Sequence, residues 1–415
     1  MIEYPNDLQP LLDKLIKNNI RPVIVGGYVR DYFLNITSKD IDIELYGIDS
    51  LEKVEKILAE FGSVNSVGKS FGVCKIKLND LELDFSLPRE DSKQGEGHRG
   101  FKITVDTSLD FKTAASRRDF TINTIGYDVI NKEILDPYKG RDDLKNKILR
   151  AVDLYKFAQD PLRILRAVGF IARFNLHADQ KLLQLLKKMI HANALQELPK
   201  ERIFEEIKKL LLKSKHPSKG FIFLKDISGF YFFDEFLDLH NKDFTKVMQT
   251  LDRSVITTKA QTDKQKIITM LAVLTAKFSD QKQNSFLDKL TNQKTVIKGV
   301  KELTHITFDL NMISDYAIYK LATQIEIKNY IAYLLAYYEE DQEKIRYLEK
   351  RSKELGVFQK SLPPFIEGKD LIELGRKPSK EFAHILDDLY EKQMQGKFAT
   401  KNEALIYIKK SLLDT

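Results

Sequence analysis

The chain holds 415 residues, 43% hydrophobic and 31% charged, an ordinary soluble composition with room for roughly two to four compact units. Its single cysteine excludes an intrachain disulfide and a cysteine-based zinc cluster, and no apolar run reaches the roughly 20 residues that span a bilayer. The formal charge of +7 permits a polyanionic partner without requiring one.

The opening residues, MIEYPNDLQP, carry neither a basic n-region nor an apolar h-region. No secretory signal is read there, and the cytoplasm is the expected compartment. RPVIVGG reads as a strand that ends at Gly26 and Gly27, with a helix starting near Tyr28. IDIELYG, FGVCKIKLN and LELDFSL read as further strands, with Cys74 in the core. LEKVEKILAEFG has the spacing of an amphipathic helix stopped by Gly62. Residues 88–100, polar and rich in glycine and charge, read as a loop. From about Val152 the texture changes. FAQDPLRILRAVGFIARFNL, DQKLLQLLKKMIHANAL and ERIFEEIKKLLLK repeat apolar residues at helical spacing, and helical patterns continue to the end. Residues 213–220 read as a loop at a domain junction. The expected fold class is α+β: an α/β head over 1–150, an all-α neck over 151–215, and a helical body and tail over 216–415.

The chemistry begins at the glycine pair. Glycine allows positive φ and close approach of a ligand to the backbone. The first N–H groups of the following helix would face that ligand, which suits a phosphate, and Arg30 could add a charge-assisted contact. Asp40 and Asp42 are two apart on a strand and so share a face. They repel each other unless a cation sits between them, and hard oxygen ligands suit Mg2+. On DID alone, a solvated strand face is the competing reading. Asp84 stands on the polar side of LELDFSL, where it could join the metal site, act as a base, or simply face solvent. Glu82 shares that side, and spacing does not choose between them. Together these residues read as a two-metal phosphoryl-transfer site. No Walker lysine motif appears, which disfavours a P-loop NTPase. A second cluster, AASRRDFTINTIGYD, gathers Arg117, Arg118, Asp119, Thr121 and Asn123. Arginine suits phosphates, and Asp and Asn suit ribose hydroxyls. A capped helix start would use the same residue types.

GGYVRD, DIDIE, RRDFTIN, DPYKGRDDLKNKILR, QDPLRILRAVGF and LPKERIFEEIKKLL occur in the order seen in class II tRNA nucleotidyltransferases. The chain resembles the bacterial CCA-adding enzymes and their relatives, the bacterial poly(A) polymerases. The strong part covers roughly residues 20–215, and IEGKDLIELGRKPSKEFAHILDDLYEKQMQGKF looks like the family's C-terminal segment. The resemblance implies a polymerase β-like nucleotidyltransferase head. It implies that Gly26, Gly27 and Arg30 contact a triphosphate and that Asp40 and Asp42 bind the metals. Arg118, Asp119 and Asn123 would handle ribose and phosphate. Residues 88–100, with Arg89 and Glu90 at their start, match the family's mobile loop.

QDPLRILRAV matches the family's base-reading motif. Asp160 and Arg163 are three apart and on a helix would share a face, where on spacing alone a surface salt bridge is the competing reading. A carboxylate only accepts hydrogen bonds and a guanidinium only donates. Adenine and cytosine each offer an amine beside a ring acceptor, which fits that pair. Uracil and guanine present an oxygen beside a ring N–H, which mismatches both. Arg166 extends the row toward phosphate. Two departures from the family stand out: Gln159 replaces the usual Glu, and Gly169 stands where Arg is frequent. Gln159 keeps a hydrogen bond to the arginine but loses the charge.

Some relatives carry a phosphohydrolase module with a His-Asp metal pair. IITMLAVLTAKF resembles that helix, but Thr275 and Ala276 occupy the pair's positions, so no metal-dependent phosphatase activity is expected. His240 reads as a capping or surface residue. Lys208, Lys209, Lys213, Lys215 and Lys219 are candidate tRNA phosphate contacts, with a solvated helix face as the alternative. The expected function is CCA addition to tRNA from CTP and ATP with Mg2+, without a membrane or an obligatory protein partner. Poly(A) polymerase, a CC-only or A-only enzyme, and an inactive RNA-binding protein are the alternatives.

Overall fold

A computed structural model describes residues 2–65, 73–93, 101–378 and 381–413. The chain divides into two compact units, Met1–Leu237 and Asp238–Thr415. The first opens with α1 (Gln9–Lys17), β1 (Arg21–Val25), α2 (Gly27–Phe33), β2 (Asp40–Tyr46) and α3 (Leu51–Leu58). It continues through β3 (Val64–Asn65), β4 (Val73–Leu78), β5 (Leu81–Ser86), β6 (Arg89–Lys93), β7 (Phe101–Val105) and α4 (Phe111–Ala115). Then come β8 (Gly126–Asp128), β9 (Glu133–Leu135), α5 (Gly140–Lys145), β10 (Ile148–Leu149) and α6 (Leu154–Ala158). The unit closes with α7 (Leu162–Phe174), β11 (His177–Ala178), α8 (Gln180–His191), α9 (Lys200–Lys213) and α10 (Ser218–Asp226).

Seven strands make one sheet in the order β3-β4-β5-β2-β1-β8-β9. Side chains alternate across it, and the two faces differ in chemistry. Ile24, Ile41, Ile43, Leu83, Phe85 and Cys74 are fully or almost fully buried on one face, beside α1 and α3. The Sγ of Cys74 reaches Glu55 of α3. On the other face, Val23, Val25 and Tyr46 pack with Phe111 and Ala115 of α4. Asp42 and Glu44 lie on that second face, because β2 pairs Asp42 with Val25 and Glu44 with Val23. The strand thus carries an apolar edge into the core and an acidic edge toward the site.

Beyond the sheet, α7 packs against α9 and α10. The helical pattern over 157–176 is broken at Asp160 and Pro161, between α6 and α7. Proline lacks an N–H and is accommodated at a helix start rather than inside one, so α7 begins after it. Asp160 therefore precedes the helix instead of sharing its face with Arg163. The loop expected at 88–100 is in part the strand β6, paired antiparallel with β7. A ribbon of this kind is held by main-chain hydrogen bonds, which polar side chains do not oppose. The remainder of that segment, 94–100, lies outside the described residues.

The second unit is helical: α11 (Asn241–Thr257), α12 (Asp263–Thr275), α13 (Asp280–Leu290), α14 (Lys294–His305), α15 (Asp315–Gln324) and α16 (Ile327–Tyr337). It ends with α17 (Gln342–Glu354), α18 (Gly368–Glu373), α19 (Glu381–Met394) and α20 (Lys401–Leu413). Thr275 is buried in α12. Its Oγ1 donates to the Leu271 carbonyl at 2.9 Å and accepts from the Gln283 amide at 3.0 Å. His240 is exposed at the N-cap of α11. Ile366, Leu371, Leu389, Phe398, Ala404 and Ile408 form a core of their own near the C-terminus. No helix among the described residues is long and apolar enough to cross a membrane.

Candidate active site

A cleft of about 780 Å³ opens on the acidic face of the sheet, and twelve of the residues singled out from the sequence line it. They are Gly26, Gly27, Arg30, Asp40, Asp42, Asp84, Arg118, Asp119, Asn123, Asp160, Arg163 and Arg166. Glu82 is not among its lining residues.

The floor is β2 and β5. These strands run parallel with Asp42 opposite Asp84 and Asp40 opposite Glu82. Directly paired residues on neighbouring strands share a face, so three carboxylates converge toward the cleft. Asp84 holds Lys75 Nζ at 2.5 Å. Crowding by the cleft walls, then the Asp84 and Asp40 charges, push the Asp42 carboxyl above its ordinary pKa, against the pull of Arg118 and Lys75. Among the described residues, no three His, Cys, Asp or Glu side chains are already arranged around one metal position. The Asp40 and Asp42 pair fits a divalent cation by its chemistry. Its donors are hard oxygens, and its ionised form is one that a nearby cation would relieve.

The turn above this floor is tight. Gly26 has φ +71°, and a Cβ there would meet Arg118 Nη1 at 2.9 Å and Asp42 Oδ2 at 3.5 Å. Only glycine leaves room for backbone, guanidinium and carboxylate at that corner. Arg118 is held in place from two sides. Its Nη2 donates to Glu44 Oε2 at 3.0 Å and its Nη1 to the Asn123 carbonyl at 2.9 Å.

Glu44, which sequence reasoning passed over, is fully buried beneath the floor. It also receives Arg117 Nη2 at 3.4 Å and the Tyr46 hydroxyl at 3.2 Å. A buried carboxylate requires such partners. The signal was available: Glu44 continues the i, i+2 row of Asp40 and Asp42.

Arg30 lines the cleft but is itself buried. Its Nε and Nη2 donate to Asp31 Oδ1 at 2.8 and 2.6 Å, and its Nη1 to Asn123 Oδ1 at 2.7 Å. The guanidinium lies 4.6 Å from the Phe174 ring centroid. Arg30 thereby ties α2 to α7 and to the Asn123 turn, a structural role that the motif did not announce.

Asp119 is the hub of the opposite wall. It is 6% exposed. Its Oδ1 accepts from the Phe120 N–H and the Asn123 amide, both at 2.9 Å, and its Oδ2 from Arg166 Nε and Nη2, both at 2.6 Å. Burial alone would raise this carboxyl. The Arg166 charge, the Asn123 hydrogen bond and the Arg163 charge together hold it below the ordinary aspartate range. A depressed folded-state pKa means that stability is fully present above the unfolded value near ~3.9 and is lost as pH falls through the folded value. Asp119→Asn is therefore expected to cost about 3–5 kcal/mol at pH 7, because it strands Arg166. The Tm gap to wild type should close as pH drops below about 4. Thermal unfolding across that range measures it, and a pH-independent gap contradicts the assignment.

Asp160 and Arg163 sit at the other end of the cleft. Asp160 Oδ1 accepts from the Leu162 N–H at 3.1 Å, and its Oδ2 faces Arg202 Nη2 at 3.5 Å. Arg163 donates to the carbonyls of Arg117 at 2.9 Å and Lys156 at 3.2 Å. Two cleft residues close in sequence are thus fixed by different elements, the carboxylate by the α7 start and the guanidinium by backbone.

Comparison with known proteins bears on this geometry. Residues 23–150 match the family model described as the poly A polymerase head domain. Residues 23–150 are thus similar to a poly A polymerase head. Residues 175–230 match a probable RNA and SrmB- binding site of polymerase A, and residues 258–408 a putative tRNA nucleotidyltransferase domain 2. The family resemblance read from the sequence is thereby shown.

A Multifunctional CCA protein from Acinetobacter baumannii (strain SDF) is 36% identical over 206 residues, covering 49% of this chain and 47% of the relative. One from Haemophilus ducreyi is 34% identical over 191 residues, covering 45% of this chain and 44% of the relative. The chain thus spans about half the length of these curated relatives. A CCA-adding enzyme solved with ATP is similar at TM-score 0.72 and 22% identity, over 98% of this chain and 95% of that one. The Thermotoga maritima CCA-adding enzyme complexed with tRNA is similar at TM-score 0.68 and 22% identity, over 99% and 97%. At that identity these structures show the shared fold.

Behind the head, the neck supplies cleft residues absent from the sequence reading: Arg173 on α7, and Arg202 and Glu206 on α9. Arg173 extends the row of Arg163 and Arg166 along one helix face, so its spacing could have revealed it. Glu206 is buried, within 4.0 Å of Arg166 and 2.8 Å of Lys209. The α9 residues form a visible face too, but which helix that face meets is tertiary information. Of the lysines proposed for phosphate contacts, Lys209 and Lys213 line the cleft. Lys208 pairs with Glu205 at 2.8 Å and Lys219 donates to Asn175 at 2.5 Å. Basic side chains outnumber acidic ones along the cleft, ten to six. That excess suits a polyphosphate.

Proposed function

We propose that this chain adds C, C and A to the 3′ end of tRNA from CTP and ATP, without a nucleic-acid template, releasing pyrophosphate. The observation that carries the reading is one cleft that joins the Asp40–Asp42 floor to the Asp160–Arg163 pair. A reactive centre and a base-sized hydrogen-bonding edge share a single enclosure. The matched head domain and the likeness to CCA-adding enzymes support it.

Each residue has a role in that reaction. Asp40 and Asp42 would hold Mg2+, with Asp84 beside them. Magnesium bound there would lower the pKa of an attacking hydroxyl and neutralise the triphosphate. The Gly26–Gly27 turn lets phosphate oxygens approach the backbone. Arg118, fixed by Glu44, directs positive charge at them. Asn123 and Asp119 set the far wall, where ribose hydroxyls would lie. Asp160 accepts from the exocyclic amine of cytosine or adenine, and Arg163 donates to the ring nitrogen beside it. Because the protein provides the complementary edge, no template strand is needed. The cytoplasm, where tRNA and reduced cysteine coexist, is the compartment this reading requires.

The test is product mapping. Protein is incubated with tRNA lacking its 3′ end and labelled CTP or ATP, separately and together. CCA addition yields three residues ending in A when both nucleotides are present. A long A ladder from ATP alone identifies a poly(A) polymerase instead. No incorporation from either nucleotide leaves an RNA-binding protein.

A further inference from the structure

We propose that the first unit carries a second contact site for RNA phosphates, in a separate cleft at the opposite end of α2 from the glycine turn. The cleft has a volume of about 730 Å³ and is lined by Phe33, Lys139, Arg141, Lys145 and Lys147. None of these residues contributes to the active-site cleft. The choice of RNA as the polyanion rests on the tRNA reading above; the presence of an anion site does not.

Four observations converge. First, among the described residues none of the four basic side chains forms an ion pair. Two acids, Asp136 and Asp142, also line the cleft, but Asp136 is already engaged. Its two oxygens accept the Gly140 and Arg141 N–H groups at 2.7 and 3.0 Å. Four cations against two acids leave the hollow with an excess of positive charge, which raises the local potential and draws in anions.

Second, Arg141 is oriented. Its guanidinium lies 5.0 Å from the Phe33 ring centroid. A stacked guanidinium keeps its N–H edge for a planar or phosphate acceptor.

Third, Lys139 and Lys147 both adopt left-handed backbone, with φ +58° and +59°. Asparagine fills five of the nine such non-glycine positions among the described residues. Asparagine suits that conformation because its short side chain hydrogen-bonds locally, which lysine cannot do. At these two positions the chain accepts the less suited residue, and what lysine adds is charge at the rim of the cleft.

Fourth, the backbone at Lys147, on the rim of the cleft, pairs with the start of the segment matched to an RNA-binding model. The Lys147 carbonyl accepts the His177 N–H at 2.8 Å, and β10 pairs in parallel with β11. His177 lies within the 175–230 match to the probable RNA and SrmB- binding site. A strand of RNA engaged by that segment would pass beside the lysines.

The experiment measures binding apart from transfer. Fluorescence anisotropy with labelled tRNA is followed across a salt series for wild type and for Lys139→Asn/Lys145→Gln/Lys147→Asn. Asparagine keeps the left-handed backbone, so the fold should hold. Loss of up to three phosphate contacts is expected to weaken affinity about 10-fold at moderate salt and to flatten the slope of log K against log salt by about 2. The rate of nucleotide transfer at saturating tRNA should be unchanged. If the triple variant unfolds, Lys145→Glu alone is the measurement, and a slope change of about 1 is expected.

Affinity and slope equal to wild type would overturn the proposal while leaving the CCA reading intact. Failure of wild type to bind tRNA would overturn both. A third arm titrates inorganic phosphate. Stabilisation of wild type but not of the variant, with tRNA affinity unaltered, would mark a small-anion pocket and likewise refute an RNA contact.

Discussion

Asp42→Asn should reduce nucleotide transfer by about 10³-fold or more while leaving tRNA affinity within a factor of about 2 of wild type. The size follows from what the carboxylate supplies. Charge stabilisation through a bound cation contributes several kcal/mol, at about 1.36 kcal/mol per tenfold in rate. The selectivity follows from position. Asp42 faces the cleft floor, in register with Asp84, and among the described residues it holds no ion pair that the fold would lose. Its carboxyl is pushed above its ordinary pKa by the enclosing walls and by Asp84 and Asp40. In the folded protein at neutral pH the ionised form is therefore disfavoured relative to the unfolded chain. Neutralising it should leave Tm unchanged or slightly higher. Lost activity with retained or raised Tm is the signature of a functional carboxylate held against its own stability. A drop in Tm that parallels the loss of activity would instead make Asp42 a structural residue. The comparison needs only thermal unfolding, tRNA binding and single-turnover transfer on the same two preparations.

The second large effect concerns base choice. Arg163→Ala and Asp160→Ala should each erode discrimination against UTP and GTP more than they slow correct addition. Each unpaired buried polar group costs about 1–3 kcal/mol. Two mismatches therefore reject the wrong base by roughly 10²–10⁴-fold, at about 1.4 kcal/mol per tenfold. Removing one partner should forfeit about half of that in logarithmic terms. On the proposed reading the pair can enforce a choice although Asp160 lies outside α7, because both side chains are held in place. The carboxylate is oriented by the Leu162 N–H and faces Arg202, and the guanidinium is oriented by two backbone carbonyls. Preorganised partners cannot swing to accommodate an inverted hydrogen-bond pattern. Arg202→Ala should then produce a weaker version of the Asp160→Ala phenotype, with less effect on the first turnover from CTP. Kinetic constants for all four nucleoside triphosphates decide this. Unchanged ratios in both alanine variants would remove the pair from base selection.

Strand alternation and helical spacing made much of the fold legible, because both report which side of an element meets the core. DIDIELY announced one apolar and one acidic face, and the sheet uses them so. The motif order placed twelve residues that fold into one cleft from five separate stretches. Three features escaped for identifiable reasons. Glu44 sits on the same alternating row as Asp40 and Asp42, but an acid that continues a row carries no mark of being buried. Its partners, Arg117 and Arg118, arrive from a turn more than 70 residues away. Arg202 and Glu206 carry a readable helical spacing, yet their meeting with Arg166 and Asp160 depends on α7 packing against α9. The break at Pro161 was readable, since proline disfavours a helix interior, but the apolar periodicity on both sides of it suggested a continuous helix. Gly169 shows the reverse situation. A Cβ there would meet nothing within 4 Å, so the backbone leaves room for a side chain to start at this point of the cleft. The fold does not demand glycine there.

The most direct test is a structure of this chain with Mg2+ and a non-hydrolysable CTP analogue. The expected result is metal bridging Asp40, Asp42 and the triphosphate, phosphates against the Gly26–Gly27 turn and Arg118, and the cytosine amine on Asp160 with its ring nitrogen on Arg163. A nucleotide bound elsewhere, or one in this cleft whose base edge points away from Asp160 and Arg163, would refute the proposed chemistry.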